Sequence, residues 1–221
     1  MPRMRDALSP LRDNNRTILK RSSSGNVMAD VPRNRYLLFT LIAALGFAVD
    51  LLTKAWVFSW PELYDFNAVH WIWPTHVGIQ LSWNEGALFG LGQGNVWLFA
   101  ALSVAAAVAI PAWLFGGGGA RDLLLTIALG GIMAGILGNL YDRLGLADNL
   151  WPGRIVEVNQ PVHAVRDWIL WQWNDRWRWP NFNVADSLLV ISAAMLIWHA
   201  QRRHDASMAR SETKRNEQDL G

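Results

Sequence analysis

Four stretches of the chain stay apolar for about the 20 residues that a helix needs to cross a bilayer core of about 30 Å. The first, Tyr36 to Val57, is interrupted by Thr40 in its first half and by Asp50, Thr53 and Lys54 in its second. Val96 to Phe115 and Leu123 to Tyr141 contain no charge, and Phe182 to Ala200 holds one acid, Asp186, near its start. A helix bundle in water shows a polar stripe on each helix, and the second and third runs have none. The pattern predicts an all-α membrane protein with transmembrane helices over about 36–57, 96–115, 123–141 and 182–200. The first run is not a cleaved leader: it is long, follows a polar segment, and holds an acid and a lysine.

Lys and Arg set the orientation. Residues 1–35 hold eight, 201–221 hold five, and the turn after the second run holds Arg121, whereas 58–95 hold none. The loop between the third and fourth runs carries five arginines, which weakens the contrast without reversing it. Positive-inside reasoning places both termini in the cytoplasm and the two long loops on the other face. Those loops carry ten of the 14 tryptophans, so they are expected to lie along the membrane surface. Val77 to Trp83 alternates and reads as a strand, giving a small extracytoplasmic β element after the first helix. Trp168, Trp171, Trp173, Trp177 and Trp179 are too irregularly spaced for a clean helix. Residues 1–33, with Met28 as an alternative start, and 201–221 are polar and expected to be disordered cytoplasmic tails flanking a membrane domain at 34–200.

Composition sharpens this picture. The 221 residues are 52% apolar and only 17% charged, below the ~25% of an average soluble domain. Mean hydropathy is a modest +0.11 because polar tails and tryptophan-rich loops dilute the spans. There is no cysteine, which excludes disulfides, thiolate metal ligation and a thiol nucleophile.

Ionisable groups at membrane depth are expensive and therefore candidates for function. Asp50 and Lys54, four apart on one helix face, read as a structural ion pair. Asp142 beside Arg143, Asp167, and Asp186 converge at the outer ends of the last two spans. Two carboxyls held close share a proton, one activating a water while the other acts as acid. No metal site is expected, since His70, His76 and His163 are scattered and His199 and His204 fall at the cytoplasmic side. Ser187 has no histidine near it in sequence. The residues alone leave open a small proton- or ion-coupled transporter using the same carboxylates, and a membrane assembly subunit associating through Gly131 and Gly135, although that glycine pair suits internal packing better.

In order along the chain, Asp50-Leu-Leu-Thr-Lys54, Asn84-Glu-Gly86-Ala-Leu-Phe-Gly90, Gly138-Asn139-Leu-Tyr-Asp142-Arg143, Val165-Arg-Asp167-Trp168 and Phe182-Asn183-Val-Ala-Asp186 resemble the five signature blocks of the lipoprotein signal peptidase (signal peptidase II) family. The resemblance implies a four-helix aspartic endopeptidase of the bacterial cytoplasmic (inner) membrane, with its site near the periplasmic face. It implies a diacylglyceryl-modified prolipoprotein substrate cut before the lipidated cysteine, membrane lipids as partners, no cofactor, no nucleic acid and a monomer. By position, Asp167 and Asp186 would be the catalytic pair. Asp142 with Arg143, and Asp50 with Lys54, would support the site. Asn139 and Asn183 would orient the acids or the scissile peptide, and Asn84 with Gly86 would line the substrate path. Three features depart from the family pattern: a long N-terminal tail, a stretch from Leu144 to Arg166 about 16 residues longer than usual, and Arg166 where an apolar residue is preferred. That last change is expected to set a cation beside Asp167 and favour its ionised form.

Overall fold

A computed structural model describes residues 31–65, 67–86, 92–147, 162–174 and 176–219. The N-terminal tail up to residue 30, residues 87–91 of the second block and residues 148–161 of the long loop lie outside these. Four helices carry the fold: α1 (Arg33–Val57), α2 (Val96–Pro111), α3 (Leu123–Arg143) and α4 (Val184–Asp219). All four are long and apolar enough to cross a membrane. Pro111 has no N–H to donate, and beyond it α2 ends in one wide turn of π-helix, Ala112–Gly116. A glycine-rich turn follows, with Gly118 at φ +75°. Asp122 then caps α3 by accepting from the backbone N–H groups of Leu124 and Leu125.

α3 is the central helix. Of its apolar span 61% is buried, against 11–17% for the other three, whose outward faces present large side chains such as Leu45, Leu52, Leu98, Val108 and Ile191. Its glycines make this possible by admitting neighbours at backbone distance. A Cβ on Gly135 would sit 2.6 Å from the Ala185 carbonyl of α4, one on Gly131 would overlap Ser192 of α4, and one on Gly138 would overlap Asp50 of α1. Gly131 and Gly135 therefore serve packing inside the chain.

A four-stranded antiparallel sheet, in the order β1-β2-β3-β4, sits at the end of the bundle where α1 and α3 finish and α4 begins. Only β1 (His70–Trp73) and β2 (Val77–Asn84) follow the first helix. The irregular tryptophan segment forms β3 (Val165–Asn174) and β4 (Trp177–Phe182), so the β element expected after the first helix is half of a sheet shared by both long loops. The tryptophan spacing fits a hairpin: Trp171 pairs with Trp179, their rings 6.1 Å apart, across a turn in which Asn174 Oδ1 accepts from the N–H groups of Arg176 and Trp177. Val57 at the end of α1 packs with Leu63, Ile79 and Leu81, fixing β2 to the bundle.

The last helix corrects the expected boundaries. It starts at Val184, because Phe182 still pairs with Ile169 in the sheet. It also runs through the polar C-terminal segment to Asp219, where disorder was expected. Residues 201–219 are rich in Ala, Arg, Glu and Gln, contain no Gly or Pro, and extend a helix already nucleated by the span, so propagation meets no breaker.

Candidate active site

Helical spacing brings together residues far apart in sequence. Asp50 and Lys54 face α3 from one side of α1, and Asn139, Asp142 and Arg143 lie at i, i+3 and i+4 on α3. All are buried, Asp50, Lys54 and Asp142 completely. The three ammonium donors of Lys54 meet three acceptors: Asp50 Oδ2 at 2.7 Å, Asp142 Oδ2 at 3.0 Å and Asn139 Oδ1 at 3.2 Å. The expected pair of Asp50 and Lys54 is present and continues into the site. The other oxygen of Asp50 accepts from the N–H of Ala185 at 2.9 Å, one of the unpaired donors at the start of α4.

The junction of β4 and α4 is a reciprocal cap. Asn183 Oδ1 accepts from the N–H of Asp186 at 2.9 Å, and Asp186 Oδ2 accepts from the N–H of Asn183 at 3.3 Å. The Asn183 amide nitrogen donates to Asp167 Oδ1 at 2.7 Å and to Asn139 Oδ1 at 3.1 Å, and Asn139 Nδ2 donates to Asp186 Oδ1 at 2.8 Å. Two carboxamides thus link the two acids from opposite sides of the site. Lys54 fixes which end of Asn139 faces which acid, since its ammonium demands the carbonyl oxygen.

Asp167 stands on β3 opposite Ser82, beside an irregularity in β2 between Ile79 and Ser82. It is 2% exposed. Burial, and then the neighbouring charge of Asp186, push its carboxyl well above the usual carboxylate range, against the lowering effect of Lys54 and of hydrogen bonds from Asn84 and Asn183. Asn84 Oδ1 also accepts from the N–H of Gly86, and the Gly86 carbonyl accepts from Arg143 Nη2 at 2.8 Å. Arg143 lies over the Phe99 ring of α2 at 5.7 Å. A cavity of about 330 Å³ opens between α2, α3 and α4, walled by Asn84, Ser103, Asn139, Arg143, Asp186 and Leu189 among others. Of the four buried acids, Asp186 is the one on its wall. Among the described residues no cluster of three or more His, Asp or Glu side chains is placed to hold a metal ion.

All ten residues singled out in the sequence therefore meet at this one end of the bundle. Arg166 behaves differently from the expectation. Neighbouring strand residues point to opposite faces, and its guanidinium turns to Asp142, with Nη2 and Nε at 2.8 and 2.9 Å from Oδ1. Asp167 is held by amides instead.

Known proteins resemble this chain. The family profile described as signal peptidase (SPase) II matches residues 42–202. The chain is 52% identical over 170 residues to the lipoprotein signal peptidase of Rhodopirellula baltica, covering 76% of this chain and 74% of that one. It is 33% identical over 177 residues to the lipoprotein signal peptidase of Pseudomonas aeruginosa strain PAO1, covering 76% and 90%. A solved bacterial membrane enzyme shares the fold with a TM-score of 0.59 at 23% identity, covering 74% of this chain and 87% of that one. With the matched region reaching from the first helix into the last and including the sheet, this chain belongs to the signal peptidase II family.

Proposed function

We propose that this protein removes the signal peptide from lipid-modified prolipoproteins as an aspartic endopeptidase, with Asp167 and Asp186 sharing one proton. The observation that carries the reading is the charge balance of the buried cluster. Four carboxyls, Asp50, Asp142, Asp167 and Asp186, face three cations, Lys54, Arg143 and Arg166. One proton on the acids makes the cluster neutral, as burial demands. Asp50 and Asp142 are taken up in direct ion pairs, so the proton falls to the two acids bound through amides.

In this mechanism Asp167 holds the proton before reaction and Asp186, on the cavity wall, takes one from a water. The water attacks the carbonyl preceding the lipidated cysteine, Asp167 protonates the developing oxyanion, and the tetrahedral intermediate collapses as a carboxyl gives its proton to the leaving nitrogen. Asn139 and Asn183 hold the carboxyls in register. The diacylglyceryl chains remain among membrane lipids while the peptide rises to the acids. The site faces the periplasm, both termini lie in the cytoplasm, and the enzyme acts as a monomer. Membership of a peptidase family favours this reading over the transporter.

Purified full-length protein incubated with a diacylglyceryl-modified prolipoprotein and with its unlipidated form tests the proposal. Cleavage of the lipidated form just before the cysteine supports it, and absence of cleavage contradicts it.

A further inference from the structure

Strand β4 pairs with β3 no further towards the bundle than Phe182 opposite Ile169. Beyond that point β3 stays paired with β2 but its other edge is open, with Arg166 and Asp167 reaching the site. The N–H and C=O of a strand residue point to the same side. At Arg166 both are taken by side chains on that open side: the N–H donates to Asp142 Oδ2 at 3.1 Å, and the carbonyl accepts from Asn183 Nδ2 at 3.4 Å. Asp142 and Asn183 thus replace the missing strand. The Arg166 guanidinium then chelates the other Asp142 oxygen, while its Cζ lies 5.9 Å from the centre of the Phe58 ring.

We infer that Arg166 is a positioning residue, which clamps β3 to Asp142 one residue before Asp167 and neutralises that acid, leaving more of the Lys54 charge to face Asp167 and Asp186. The charged groups around that pair are Asp50 and Lys54 from α1, Asp142 and Arg143 from α3, and Arg166 from β3; β2 contributes neutral Asn84, and His163 meets the Arg143 carbonyl and the Trp97 ring. Without the Arg166 cation, Asp142 keeps its ion pair with Lys54 and draws more on that charge, and both reacting acids lose favourable field.

The inference rests on Asp167 and Asp186 being the reacting pair. Loss of activity in D167N and D186N tests that assignment separately, because Arg166 variants are read as pH profiles of active enzyme. In R166M, kcat should fall and the acid limb of kcat should move up by about one pH unit, the order produced by one lost charge. R166K restores the charge without the fork, so it should return the limb to its wild-type position while kcat stays reduced. If R166M does not fold, R166Q keeps donors for Asp142 without the charge and should show the same shift. Wild-type kcat and limb position in an uncharged variant overturn the inference, as does R166K shifting as far as R166M.

Discussion

Asn183 holds Asp167 by its side-chain Nδ2, 2.7 Å from Oδ1, while its backbone N–H and side-chain Oδ1 lock the first turn of α4 around Asp186. One residue therefore fixes the relative position of both acids, and it is fully buried. Asn183→Ala should lower kcat about 10²-fold, the cost of misplacing reacting groups by about 1 Å, with KM little changed. Losing the cap should cost about 1 kcal/mol of stability. Steady-state cleavage and thermal unfolding of the purified variant separate the two effects.

The raised carboxyl of Asp167 has a consequence for stability. A group whose affinity for protons is higher in the folded state than in the unfolded chain makes the folded state lose stability as pH rises from about 4, the unfolded value, through the folded one. Asp167→Asn removes that loss. The variant should melt above the wild type at pH 7 to 8, by about 2–4 °C for each kcal/mol relieved, and the difference should vanish towards pH 4. A constant difference across the range contradicts the assignment.

Asp142 accepts from Lys54 and from three donors of Arg166, so it is committed to holding the site together. Asp142→Asn leaves buried Arg166 without its counter-charge and Lys54 with Asp50 alone, and should destabilise the protein by about 3–5 kcal/mol, whereas Asp186→Asn should leave it folded. Unfolding in detergent compares them directly.

Residues 205–219 of α4 are exposed where described. A chain ending after His204 keeps the contact of Arg202 with Trp198 and the pair of His199 with Asp122. Its cleavage rate should equal that of the full chain.

The four spans were legible because a bilayer demands uninterrupted apolar length, and the buried acids because charge stands out in such runs. Asp50 and Lys54 could be paired from spacing alone. The sheet was half legible: β2 alternates, but β3 carries tryptophan on both faces, at Trp168 and at Trp171, and hides the two-residue period. The C-terminal helix was missed because low hydrophobicity was read as disorder where helix propensity and a preceding helix decide the matter. The direction of Arg166 required knowing that its strand runs past its partner, which depends on where β4 turns into α4 and is set by tertiary structure.

Cleavage of a diacylglyceryl-modified prolipoprotein by purified D167N and D186N, each shown to be folded, tests the central claim most directly. Both should lose activity by at least about 10³-fold, because each carboxyl performs a proton transfer that an amide cannot. Wild-type turnover by either variant would contradict the assignment of the pair.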